Sequence, residues 1–151
     1  RPALALQDHR VGRADDPVQV VEELLHGTGG PDDAVVAEVR LGLAERIVAH
    51  IPQAVINGDL KHALPHMLNI SIPNISSEYV TLQLDHAGIA ISTKSACREG
   101  AESRSHVVAA LSKDDWRAQN TLRFSLGKET TAQDVRTAAE TLAKIIAKTK
   151  S

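Results

Sequence analysis

Two side chains carry the chemistry that this sequence can offer, Cys97 and Arg123. Cys97 is the chain's one cysteine and stands in Ser95-Ala-Cys-Arg-Glu-Gly-Ala-Glu-Ser-Arg104. An apolar run, Gly88-Ile-Ala-Ile91, precedes this stretch, and a helix-like run, Ser105-His-Val-Val-Ala-Ala-Leu111, follows it. The residues between are mostly small and polar and bury little apolar surface, so the reading is an exposed, mobile loop. Arg98 and Lys94 beside the sulfur favour a thiolate, which is the nucleophilic form of the group; Glu99 opposes them. Against that stands the bland reading of a lone cysteine, a small side chain packed behind Gly88–Ile91. Arg123 lies in Thr121-Leu-Arg-Phe-Ser-Leu-Gly127, which alternates like a strand and in which the arginine interrupts the apolar side. A strand arginine is usually solvated or paired, but a guanidinium can also grip a carboxylate through two parallel hydrogen bonds.

The elements that must position these two residues follow from periodicity and stop signals. Asp32 or Asp33 can cap a helix whose apolar side runs Val35/Val36, Val39, Leu43, Ile47/Val48 and Ile51. Glu38, Arg40, Glu45 and Arg46 fall on or near its other side, and Pro52 stops it. Val55-Ile56 reads as a short strand closed by the Asn57-Gly58 turn, and Met67–Ile72 as a second strand closed by Pro73-Asn74. Ser76 or Ser77 caps a helix carrying Tyr79/Val80, Leu82 and Leu84 to His86, and Gly88 ends it. Ile89–Ser92 is read as a further strand, Ser105–Leu111 as a helix, Asp114–Gln119 as a short helix or turn, and Thr121–Leu126 as a strand. The spacing Thr130-x-x-Gln133 predicts a capping box for a last helix with Val135, Ala138/Ala139, Leu142 and Ile145/Ile146 on one face.

Helices and a few short strands interleave without repeats. The fold class is therefore α+β, a three- or four-stranded sheet with helices mainly on one face. Aromatic residues make up 2% of the 151, so the core must be aliphatic. A net charge of -2 gives no reason to expect nucleic acid or an anionic membrane as partner. One cysteine excludes an internal disulfide and a multi-cysteine zinc site, and fits a reducing, cytoplasmic setting. No apolar run is long enough to span a membrane. His62 and His66 are four apart, but Pro65 forbids a regular helix there, so no metal site is expected. For His106 a capping or packing role is preferred over acid–base work.

Ser-Ala-Cys97, then Ser105-His-Val, then Leu122-Arg-Phe-Ser-Leu-Gly-Lys-Glu-Thr-Thr131 resemble, in order and spacing, the C-terminal region of the cysteine desulfurases, pyridoxal-phosphate enzymes of the class V aminotransferase family. Asn57-Gly-Asp-Leu-Lys-His-Ala-Leu-Pro-His-Met-Leu-Asn-Ile-Ser-Ile72 resembles the family's stretch from an Asn-Gly turn through Leu-Pro to Leu-Asn-Val-Ser. The resemblance runs from about residue 35 to the end and implies the small C-terminal domain of such an enzyme over residues 34–151. Residues 1–33 are left as an irregular or divergent segment. It implies that Cys97 attacks the sulfur of a cofactor-activated substrate cysteine, becomes a persulfide and leaves alanine. The sulfur then passes to an acceptor protein of iron–sulfur cluster assembly or tRNA thiolation. It implies that Arg123 binds the substrate carboxylate.

Two departures from the family pattern bear on this. Lys94 stands where the family usually has glycine, and no lysine follows a Ser-x-His as the family's cofactor lysine does. Lys61 merely precedes His62. The expectation is thus that no pyridoxal phosphate binds covalently to this chain, that the cofactor comes from another domain or subunit, and that the complete enzyme is a homo-oligomer. The chain begins with Arg1 and its one methionine is Met67, which fits a piece of a longer reading frame, a processed product or an excised segment. The alternatives are a desulfurase-derived binding module or inert fragment, and a class V relative that does not use Cys97.

Overall fold

The computed structural model describes residues 31–93 and 105–149. Within them the elements are α1 (Pro31–His50), β1 (Val55–Ile56), β2 (Met67–Ser71), α2 (Ser77–His86), α3 (His106–Leu111), α4 (Asp115–Gln119), β3 (Thr121–Ser125) and α5 (Ala132–Thr149). The strands form one antiparallel sheet in the order β1-β2-β3. The class is α+β, as read from the sequence. Ile89–Ser92, expected as a strand, contributes only the single bridge between Ser92 and Arg123. Residues 1–30 of the segment read as irregular, and the Cys97 loop, lie outside the described residues.

Strand alternation sorts the sheet into two unlike faces. Leu68 lies opposite Phe124 and Ile70 opposite Leu122, and all four are buried in the main core with Ile56. Against this face pack Leu43, Ala44 and Ile47 of α1, Val80 and Leu84 of α2, and Val135, Leu142 and Ile146 of α5. The other face carries Asn69, Ser71, Thr121 and Arg123 and is covered by the short helices α3 and α4. Arg123 therefore does not interrupt the apolar side of its strand; it lies on the polar side, between Thr121 and Ser125. Three longer helices on one face and two short ones on the other agree with helices placed mainly on one face. Among the described residues, no helix is long and apolar enough to cross a membrane.

Several local expectations are corrected. Asp32 and Asp33 are not caps but lie in the first turn of α1, which starts at Pro31. Arg40, expected toward solvent, is fully buried. It donates from Nη1 to the Leu64 carbonyl and from Nη2 to the Leu60 carbonyl, both at 2.8 Å. The loop between β1 and β2 folds over that side of α1, and its carbonyls are the acceptors that the buried guanidinium needs. In α2 the inward pair is Val80 and Leu84, four apart, while Tyr79 and Leu82 are exposed; Ser76 is the N-cap and accepts from the Tyr79 amide. His106 neither caps nor packs: it is exposed, and the cap of α3 is Ser105, which accepts from the Val108 amide.

The capping box of α5 is shifted by one residue. The Thr131 amide donates to Asp134 Oδ2 at 2.8 Å, and the Asp134 amide donates to Thr131 Oγ1 at 3.1 Å. Thr130 instead accepts from the Gly127 amide in the preceding turn. Both threonines have an acceptor three residues on, and only helix phase separates them. Donation from Thr131 holds the Asp134 carboxyl below its usual value of 3.8. A depressed carboxyl stabilises the fold above that usual value and loses its contribution as pH falls through the folded one. Thr131→Ala should cost about 1 kcal/mol in urea unfolding and Thr130→Ala less than about 0.5 kcal/mol. In the Thr131→Ala variant the part of the acid destabilisation owed to the Thr131 hydroxyl should be absent, and the larger part owed to the residue-131 amide, which alanine keeps, should remain.

Candidate functional site

Arg123 stands between two neighbours, and one of them, Ser92, takes both of its backbone hydrogen bonds. It pairs with Asn69 of β2 on one side. On the other, its amide donates to the Ser92 carbonyl at 2.8 Å, and the Ser92 amide donates back to the Arg123 carbonyl at 3.0 Å. The side chain is half-buried, not the exposed strand arginine expected, and its Nε is buried without a hydrogen-bond partner among the described residues. A buried N–H left unmet is unfavourable unless a ligand or another part of the protein satisfies it. Arg123 lines a cleft of about 180 Å³ with Asn57, Asn69 and Thr121 on the polar side and Val107 and Leu111 of α3 at the lip. Val107 and Leu111 are 67% and 57% exposed, so the lip is apolar and open to a partner surface.

Cys97 lies outside the described residues, as do Lys94 and Arg98. The residues that flank its segment are described, and both adjoin Arg123. Ser92, before it, is the residue bonded to the Arg123 backbone. Ser105, after it, lines the same cleft and is tied to α4 by its amide, which donates to the Ala118 carbonyl at 2.7 Å.

Beneath the cleft runs a polar network that the sequence reading did not find. Arg117 of α4 is 6% exposed. Its Nε and Nη2 donate to Asn57 Oδ1 at 3.0 and 2.7 Å, and Nη2 also donates to the Ile56 carbonyl at 3.3 Å. Burial pushes the Arg117 pKa down and the nearby Asp114 carboxylate partly restores it. Asn57 Nδ2 donates to Asn69 Oδ1 and to Ser71 Oγ, and Thr121 Oγ1 donates to Asn69 Oδ1, each at 2.7 Å. Asn57 had been read only as a turn residue. The alternation Met67-Leu-Asn-Ile-Ser against Thr121-Leu-Arg-Phe-Ser was the available signal, since it aligns the polar residues of both strands on one face.

The described residues do not fit the linkage of a pyridoxal cofactor. That linkage needs a lysine amine poised to lose its proton in a dry pocket. Lys113, Lys128, Lys144 and Lys148 are exposed and Lys61 is half-buried. Lys128 is bound to Asp32 at 2.9 Å, and this pairing raises its pKa, the opposite of what the linkage requires. Among the described residues, no group of three or more histidine, cysteine or acidic side chains is arranged to hold a metal ion.

The family model described as Aminotransferase class-V matches residues 38–137. The chain belongs to that family. Over 104 residues it is 36% identical to the cysteine desulfurase NifS of Azotobacter vinelandii, a match covering 69% of this chain and 26% of that protein. Over 99 residues it is 35% identical to the cysteine desulfurase IscS of Photorhabdus laumondii subsp. laumondii, covering 66% of this chain and 24% of the relative. A solved structure titled NIFS-LIKE PROTEIN superposes with a TM-score of 0.65 at 27% identity, over 84% of this chain and 30% of that one. The chain thus spans about a quarter of the length of the curated relatives named here.

The two arginines should separate sharply under mutation. Arg117→Ala strips donors from two buried acceptors and should cost about 3 kcal/mol in chemical denaturation. Arg123→Ala removes a group with no partner among the described residues and should change stability by under about 0.5 kcal/mol. For the cofactor, borohydride reduction of the chain after incubation with pyridoxal phosphate should leave no stoichiometric lysine adduct by mass spectrometry. One discrete adduct would reverse that reading.

Proposed function

We propose that this chain is the C-terminal part of a cysteine desulfurase, gripping the substrate carboxylate through Arg123 and taking up its sulfur on Cys97. The observation that carries the reading is the flanking of Arg123 by both ends of the Cys97 segment, Ser92 and Ser105. Cys97 follows Ser92 by five residues, a tether able to span at most about 17 Å. The nucleophile is therefore tethered to the backbone of the arginine that would orient its substrate.

In this reading Arg123 presents parallel donors to the carboxylate of L-cysteine and fixes the amino acid's orientation. The Cys97 thiolate attacks the substrate sulfur. A sulfur–sulfur bond forms, the substrate carbon–sulfur bond breaks, and its electron pair stays on carbon, which takes a proton to become the methyl group of alanine. The family's pyridoxal phosphate, if a cofactor-bearing portion supplies it, would weaken the carbon–sulfur bond. Lys94 and Arg98, near Cys97 in sequence, would favour its thiolate. The persulfide on Cys97 then delivers sulfur to an acceptor for iron–sulfur cluster assembly or tRNA thiolation. A second reading, a desulfurase-derived binding module without turnover, draws on the poor fit of the described lysines to the cofactor.

Joined to the family's cofactor-bearing portion and given L-cysteine, the chain should carry one added sulfur on Cys97 by peptide mass spectrometry, and Cys97→Ser should abolish alanine release. Alanine release that survives Cys97→Ser would sink the role of Cys97, and its absence from the wild type would favour the binding module. In the chain alone, Cys97 should be alkylated without waiting for unfolding, with a midpoint below the ordinary thiol value of ~8.5.

A further inference from the structure

We propose that Asn69 is a second carboxylate-recognition residue beside Arg123, presenting its amide N–H groups to the substrate, and that Arg117 sets this orientation. The inference rests on Arg123 being the carboxylate grip. Its basis is a hydrogen-bond chain whose direction is dictated by a group that cannot accept. A guanidinium only donates, so the Asn57 atom that takes Arg117 Nε and Nη2 must be the oxygen. The amide nitrogen of Asn57 then points to Asn69 and Ser71. Ser71 spends its hydroxyl proton on the Arg117 carbonyl at 2.7 Å and is free to accept. Asn69 receives from Asn57 Nδ2 and from Thr121 Oγ1, so its atom on that side must be the oxygen. Flipping Asn69 would set its N–H groups against Asn57 Nδ2, which can only donate. Its nitrogen is thus turned out of the network.

That nitrogen has no partner among the described residues, and Asn69 lines the cleft with Arg123, its cross-strand neighbour. Side chains directly opposite on one face of an antiparallel pair stand about 4.5–5.5 Å apart at Cβ, close enough to meet one small ligand. Beside it, Arg123 Nε is a buried donor without an acceptor among the described residues. A carboxylate, which only accepts, answers both. At about 180 Å³ the cleft falls below the roughly 300–1,000 Å³ of pockets for larger ligands, which points to a small amino acid.

The test is a titration of the chain with L-cysteine and L-alanine, and with their methyl esters, followed by NMR at the Asn69 side-chain amide and the Arg123 Nε–H. Both signals should move with the free acids and neither with the esters. Asn69→Asp, nearly isosteric but an anionic acceptor, should weaken binding about tenfold or more, the loss expected of one hydrogen bond to a charged group. Arg117→Lys, which keeps the charge but not the paired donation, should broaden or split the Asn69 amide signal while leaving that of Arg123 in place. If Arg123 responds to the acids while Asn69 does not, or if Asn69→Asp binds as tightly as the wild type, the role of Asn69 is overturned and that of Arg123 stands. If neither signal responds, the carboxylate grip at Arg123 fails, and Asn69 with it. Should Asn69→Asp not fold, the wild-type titration decides alone.

Discussion

The polar face of the sheet depends on the buried guanidinium of Arg117. β1 is an edge strand of two residues, and α4 covers the end of it. The Ile56 carbonyl there has no neighbouring strand to bond and no ready access to water, so it needs a donor from above. Arg117 meets that carbonyl and the Asn57 side chain at once. A lysine would offer a compact ammonium without the planar fork that reaches both. The cost is the desolvation of a permanent charge, visible in the lowered Arg117 pKa. What is gained is direction, because a network begun by a group that only donates has one self-consistent arrangement.

Arg40 makes a parallel contribution on the helical side. It bonds the Leu60 and Leu64 carbonyls and so pins the loop between β1 and β2 against α1. That loop ends at His66, whose carbonyl accepts from the Leu126 amide at 2.8 Å and extends the pairing of β2 with β3. With the loop pinned, Asn69 falls opposite Arg123, and a slip of β2 by one residue would carry Asn69 to the apolar face and away from Arg123. The register is thus supported by a buried charge, the two-fold alternation of apolar residues and the backbone ladder together.

What was legible in the sequence was periodic or punctuated. The α5 face, the α2 cap at Ser76, the turns at Gly58 and Gly88 with φ of +87° and +80°, and the three strands all carry local signals. What was not legible depends on contacts distant in sequence. Arg40 reads as a surface residue because it is charged, although Val36, Ala37, Leu43 and Ala44 share its side of the helix; only the loop 20 and 24 residues away supplies the acceptors for its guanidinium. Arg117 and Asn57 are 60 residues apart, and each alone reads as a helix or turn residue. Ile89–Ser92 looks like a strand because it is apolar, yet it meets the sheet at one residue only. The family assignment was legible because three ordered motifs carry it. The partners of Arg123 were not, since they lie in other strands and in α3.

Under the proposed function, Arg123 and Cys97 would face different mechanical demands. A carboxylate grip must be fixed, because small displacements of an orienting group are costly in rate. The Arg123 backbone makes both of its hydrogen bonds to Ser92 and faces Asn69 across the ladder, which suits that role. A sulfur carrier has to meet two partners in turn, the substrate and then the acceptor, so it cannot be fixed in the same way. Ser92 and Ser105 reconcile the two demands. Ser92 is held through the Arg123 backbone and Ser105 through α4. The short bridge at Ser92 has a physical rationale in this light. A full fourth strand continuing past Ser92 would bind more of the segment into the sheet and shorten the reach of Cys97, whereas one bridged residue is enough to hold its origin.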